Sequence, residues 1–167
     1  MNKKVLVIGA SGSGKTYLTK ELRKFGLHTV DADLLEGFAS WFDGKGNNIV
    51  FPENADKTFF DNHSFLWEKD FLINYLKDKE NIYLFGLSGN VFELIDLFDK
   101  VYFLQVPPAV LEKRLQHVSR ENPMGKTEEQ RKIAVDYAKE IEEKARKLNI
   151  EFIDGTLIPN EIYQLIK

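Results

Sequence analysis

The chain has no cysteine among its 167 residues. That removes a disulfide framework, thiolate chemistry and a cysteine-built zinc site. Basic residues are not in excess either. The formal net charge is −3, so nothing supports binding of a nucleic-acid polymer through its phosphates. No apolar run approaches the roughly 20 residues that cross a bilayer, which argues against a membrane protein. No apolar leader of the signal-peptide kind precedes the first strand-like run, so the expected location is cytoplasmic. Internal repeats and low-complexity linkers are also missing. Hydrophobic residues at 43% and charged residues at 29% describe a folded chain rather than a disordered one. The length suits a single domain, 1–167, around one core.

What is present begins with Gly9-Ala10-Ser11-Gly12-Ser13-Gly14-Lys15-Thr16. Every specified position of the G-x-x-x-x-G-K-[ST] phosphate-loop pattern is filled. A polyphosphate needs several backbone N–H groups pointing inward from a tight loop, and glycines permit the backbone angles and the close approach. Lys15 is placed to reach the β- and γ-phosphates, and the Thr16 hydroxyl to hold Mg²⁺. The apolar run Val5-Leu6-Val7-Ile8 before the loop reads as a buried strand. Tyr17, Leu18, Leu22 and Phe25 after it recur at helical spacing. The flexible Gly/Ser-loop alternative does not account for that strand and helix. A nucleoside triphosphate, ATP, is therefore the expected ligand.

The remaining chain alternates in the same way. Further strands are expected at Leu27–Val30, Asn81–Phe85, Lys100–Val106 and Glu151–Ile153. Helical spacing predicts a helix through Leu34, Leu35, Phe38 and Trp41, and another from about Asp56 to Lys77, with Asn62-His63-Ser64 a possible break. Val91, Leu94, Ile95 and Phe98 mark a short helix, and Pro107-Pro108 starts one that runs through Val118. Thr127-Glu128-Glu129-Gln130 reads as a capping box. It opens a long amphipathic helix with Ile133, Tyr137, Ile141, Ala145 and Leu148 inward, and a last helix covers about Pro159–Ile166. The expectation is an α/β, three-layer phosphate-loop NTPase fold with a five-stranded parallel sheet, helices on both faces and a short lid. Ligands on such sheets sit beyond the carboxyl ends of the strands. The phosphate loop, Asp31 and Asp33, the Gly86–Gly89 turn and the segment after Val106 all fall there.

On these residues the chain resembles the small P-loop kinases: nucleoside monophosphate kinases, shikimate kinase and gluconate kinase. The resemblance in element order covers nearly the whole length, although only the phosphate loop is a highly specific motif. It implies an acceptor-binding insertion at about 34–79 and a lid at about 119–127. It implies that Asp31 supports Mg²⁺ through water and that Asp33 contacts the substrate hydroxyl. Gly86, Ser88 and Gly89 are similar to the glycine-rich substrate loop of those enzymes. Arg114 and Arg120 resemble their lid arginines, and Asp154, Gly155 and Thr156 their adenine-binding loop.

The chemistry agrees with these roles. Phosphoryl transfer needs positioning and charge neutralisation more than covalent help, and Lys15, Mg²⁺ and a lid arginine supply both. Asp33 is suited to orienting or deprotonating an acceptor hydroxyl. Phe85 and Val106 stand where this fold usually carries its second metal-supporting acid, which leaves Asp31 for that work. Plainer readings stay open. Asp31 also reads as a helix cap and Asp33 as a first-turn residue. Other readings are Arg120 as an exposed loop charge, Arg114 as a partner of Glu112 or Glu121, Gly155 as a turn glycine, and His63 as a helix residue.

One further absence bears on the acceptor. No arginine lies between Arg23 and Arg114. The kinases it resembles hold an acceptor phosphate or carboxylate with arginines from that region, where the planar guanidinium fork suits such anions. Here the region offers Lys45, Lys57 and Lys69 amid many aromatics. The acceptor expected is therefore a neutral, hydroxyl-bearing small molecule such as a nucleoside, with Trp41 and Asp43 as candidate contacts. A nucleotide stays open if lysines hold it, as do a shikimate- or gluconate-like metabolite and a regulatory ATPase without a small acceptor. The chain is expected to be a monomer or weak dimer.

Overall fold

The computed structural model describes residues 3–117 and 124–167. In chain order the elements are β1 (Lys4–Ile8), α1 (Lys15–Lys24), β2 (His28–Asp31), β3 (Ala39–Asp43), β4 (Asn48–Ile49), α2 (Lys57–Asn62), β5 (His63–Trp67) and α3 (Lys69–Lys77). They continue with β6 (Ile82–Gly86), β7 (Lys100–Gln105), α4 (Pro108–Leu115), α5 (Glu128–Lys147), β8 (Glu151–Asp154) and α6 (Pro159–Ile166). Five strands form a sheet in the order β2-β6-β1-β7-β8, and every neighbouring pair in it is parallel.

Alternation along the strands builds the layers. Leu6 and Ile8 of β1, Ile82 and Leu84 of β6, and Phe103 of β7 face a core shared with Leu72 and Leu76 of α3, Leu111 of α4 and Ile141 of α5. The intervening Val5, Val7, Tyr83, Phe85, Tyr102 and Leu104 face Leu18 and Leu22 of α1 and Ile162 and Ile166 of α6. A strand buried on both faces has no polar side, which is why these runs read as continuously apolar. This is the α/β three-layer arrangement expected.

Three expectations about local structure are corrected. The helix through Leu34 and Trp41 does not form. Asp31 caps a single 3₁₀ turn at Ala32–Leu34, Gly37 takes a left-handed φ of +74°, and the chain leaves as β3. The long helix from Asp56 to Lys77 is split in two by β5, which pairs antiparallel with β3 in a second, three-stranded sheet of order β4-β3-β5. Aromatics are so dense there that they satisfy helical and strand periodicity alike. The short helix near Val91 is a pair of 3₁₀ turns.

The inward stripe of α5 is also rotated. Gln130, Ala134, Ala138, Ile141 and Ala145 are buried, whereas Leu148 is exposed. Alanines let this helix approach the sheet closely, and the larger Ile133 and Tyr137 flank the contact.

The two sheets meet at Gly86, which pairs with Ile8 at the carboxyl end of β6. A Cβ there would lie 2.5 Å from a Trp67 ring carbon and 2.6 Å from the Ala32 Cβ. The Trp67 ring is itself held against Phe38, with centroids 5.0 Å apart, so it has little room to yield. Gly86→Ala is expected to lower unfolding free energy by about 1–3 kcal/mol through overpacking, read as a shifted urea midpoint with unchanged slope.

Candidate active site

The loop from Gly9 to Thr16 joins the end of β1 to α1. Gly12 and Gly14 adopt φ of +84° and +100°, where a Cβ is resisted. Gly14 is the N-cap of α1 and supplies no side-chain cap, and the first turn holds Lys15 but no acidic residue. Helix starts usually attract acidic or capping side chains to answer their free N–H groups. A cation beside uncapped amides reverses that preference and suits an external anion.

Lys15 is buried, and its ammonium donates to the carbonyls of Gly9 at 2.7 Å and Ala10 at 3.0 Å. The Thr16 hydroxyl donates to Asp31 Oδ2 at 2.6 Å. Asp31 is buried at the end of β2, and its Oδ1 accepts the Asp33 N–H at 3.1 Å. The capping reading and the site reading of Asp31 thus hold together, one for each oxygen. A hydroxyl and a carboxylate side by side fit Mg²⁺, which takes one or two protein oxygens and completes its shell with phosphate and water. Among the described residues no three His, Asp or Glu gather as an all-protein metal cage.

Asp33 keeps an exposed surface while protein surrounds much of its carboxyl. Loss of surrounding water pushes its carboxyl above the ordinary range; the Lys15 charge pulls it back and Asp31 pushes it up again.

Arg114 reaches the same place from α4. Its Nη1 donates to the Ser13 carbonyl at 3.0 Å, and its Nη2 lies 3.4 Å from the Gly155 carbonyl. The guanidinium therefore bridges the phosphate loop and the turn after β8. In that turn the Gly155 N–H donates to the Gln105 carbonyl at 2.7 Å. Asp154 accepts from the Thr156 N–H and hydroxyl, which hold its carboxyl below the ordinary range. Arg120 lies outside the described residues.

The Gly86–Gly89 turn is fastened to the second sheet. The Gly89 N–H donates to the Phe65 carbonyl at 2.7 Å, and the buried Ser88 hydroxyl donates to Asn90 Oδ1 at 2.8 Å. Asn90 also brackets the Trp67 backbone, accepting its N–H and donating to its carbonyl, each at 3.0 Å. Sequence reasoning overlooked Asn90; an asparagine one place after Ser-Gly reads only as turn chemistry.

Trp41 lies in β3 with its ring 5.2–5.8 Å from those of Phe51, Phe59, Phe60 and Phe65. The Asp43 carboxylate is occupied within the β3–β4 turn, accepting from Lys45 and Asn47. His63 stacks on Phe59, and its Nδ1 is 2.7 Å from the Phe59 carbonyl, a structural arrangement. Among the described residues, Ser13 Oγ and Trp67 Nε1 are buried without a hydrogen-bond partner.

Solved structures that share this fold include P-loop small-molecule kinases. The chain is similar to shikimate kinase from Acinetobacter baumannii in complex with shikimate, at TM-score 0.62 and 15% identity over 99% of this chain and 91% of that one. It is similar to a gluconokinase from Sinorhizobium meliloti, at TM-score 0.55 and 17% identity over 98% and 88% of the two chains. Deoxyadenosine kinase from M. mycoides with bound dATP matches at TM-score 0.53 and 14% identity over 98% and 96%. No family model and no curated protein sequence matches. At these identities the likeness is one of fold.

The crowding of Asp33 has a consequence for stability. With its carboxyl raised in the folded chain, the native state binds the proton more tightly than the unfolded one. Stability contributed here is present in acid and lost as pH rises from the ordinary carboxylate value through the raised one. Asp33→Asn is therefore expected to raise the melting temperature at neutral pH and to leave it unchanged below the carboxylate range, as two thermal melts would show.

Proposed function

We propose that this chain is an ATP-dependent phosphotransferase that moves the γ-phosphate of MgATP to a hydroxyl, or a phosphate, of a small acceptor, most simply a nucleoside or nucleotide. The observation that carries the reading is the linked group at the carboxyl edge of the sheet. Thr16 is bonded to Asp31, Asp31 caps the turn bearing Asp33, and Arg114 holds the phosphate loop from behind. Gly9, Ser11, Gly12, Ser13, Gly14, Lys15 and Thr16 bind the phosphates, and Asp154, Gly155 and Thr156 border the base. Thr16 and Asp31 would hold Mg²⁺, which when bound would neutralise charge on the phosphates.

In the proposed step an acceptor oxygen attacks the γ-phosphorus. One phosphorus–oxygen bond forms, the bond to the β-phosphate bridge oxygen breaks, and ADP leaves. For a hydroxyl acceptor, Asp33 orients that group and takes its proton. Lys15 and Arg114, with Arg120 from the proposed lid, meet the charge on the transferring group. Gly86, Ser88, Gly89 and Trp41 border the acceptor.

The absence of any arginine between Arg23 and Arg114 supports a neutral acceptor. A regulatory ATPase reading draws no support from the ends of β6 and β7, where Gly86 and Gln105 offer no carboxylate.

An ADP-release assay with pooled nucleosides, nucleotides and sugar acids is expected to show stimulation by one acceptor. Turnover indifferent to every acceptor but raised by a protein partner would reject the kinase reading. Lys15→Ala should reduce transfer by at least about 10²-fold with the fold intact. For a hydroxyl acceptor, Asp33→Asn should lower kcat by on the order of 10²–10⁴-fold with ATP binding preserved. It should also abolish any acid limb that Asp33 contributes to the pH–rate profile.

A further inference from the structure

Gln130 breaks the local rule that predicts its role. In a capping box its side chain would return to the Thr127 N–H. Instead the Thr127 hydroxyl accepts the Gln130 N–H at 3.1 Å, while the Gln130 carboxamide turns away from the helix. Its Oε1 accepts the N–H groups of Gly125 at 3.1 Å and Lys126 at 3.0 Å. Its Nε2 donates to the carbonyls of Glu53 and Ala55, both at 3.1 Å. A carboxamide has two acceptor and two donor positions, and all are used by backbone. Gln130 is fully buried, so each bond is protected from water and costly to leave unmade.

The two backbone stretches it joins belong to different parts of the chain. Residues 53–55 lead into α2 and the second sheet. Residues 125–126 lead into α5, which packs on α4. That helix carries Arg114, whose guanidinium grips the phosphate loop at Ser13. The Lys126–Glu53 ion pair runs beside the clip, but an exposed pair contributes little. The structure thus contains an unbroken series of contacts: phosphate loop, Arg114, α4, α5, Gln130 and the 53–55 segment that leads into α2.

We propose that Gln130 is a positioning residue through which nucleotide occupancy of the phosphate loop stiffens the second sheet, where the acceptor insertion lies. The inference rests on reading the loop as a nucleotide site. A ligand that immobilises Ser13 and Arg114 restrains α4 and α5, and Gln130 passes that restraint to residues 53–67.

Amide hydrogen exchange of the full chain tests this, with and without Mg²⁺ and a non-hydrolysable ATP analogue. In the wild-type chain the analogue should slow exchange at residues 9–16 and also, about fivefold, at 53–67; that factor corresponds to one net hydrogen bond. Gln130→Met removes all four carboxamide bonds, and Gln130→Glu keeps the acceptors toward 125–126 but loses the donors toward 53–55. Both variants should keep protection at 9–16 and lose it at 53–67. Should Gln130→Met fail to fold, Gln130→Glu decides. Protection at 53–67 that survives in a variant still protected at 9–16 overturns the proposal, as does its absence in the wild-type chain. Lack of protection at 9–16 in the wild-type chain removes the nucleotide reading, and this inference with it.

Discussion

The hydrogen bond from the Thr16 hydroxyl to Asp31 joins the start of α1 to the end of β2. Around it the chain is tied repeatedly. The Thr29 hydroxyl donates to the Thr19 carbonyl, and Arg23 donates twice to the Thr29 carbonyl. β2 and α1 are therefore fixed relative to each other, and the phosphate loop cannot shift without moving the aspartates. Parallel strands make this possible because all their carboxyl ends meet at one edge. Residues distant in sequence become neighbours there without any long-range motif.

The parallel sheet was legible in the sequence because its strands are buried on both faces and carry a continuous apolar signal. The phosphate loop was legible because backbone geometry dictates its glycines, and Asp31 was singled out because Phe85 and Val106 offer no acid at the ends of β6 and β7. Arg114 was balanced in the sequence between an ion pair and the nucleotide site. Only coordinates bring it to Ser13, since its direction depends on how α4 leaves β7. The second sheet was not legible. Phe59, Phe60, Phe65 and Trp67 satisfy periods of 2 and 3.6 together, and the strand pairing that decides between them lies far off in β3. Gln130 was read as a local cap because its long-range partners are backbone carbonyls, which leave no trace in residue identity.

Two side-chain amides, that of Asn90 and that of the fully buried Gln130, tie the Trp67 backbone and the 53–55 segment to the rest. Asn90 also accepts the Ser88 hydroxyl, whereas the Gln130 carboxamide bonds to backbone, so its attachment does not depend on which residues stand at 53–55. All four hydrogen-bonding positions of the Gln130 carboxamide are engaged. A partly satisfied buried amide would loosen the junction it is meant to fix.

The rings around Trp41 pack on one another, apart from both cores of the parallel sheet. The chain thus carries an aromatic nucleus separate from those cores. Exchange of one ring for another there reshapes that end of the molecule while the layers around the loop keep their packing.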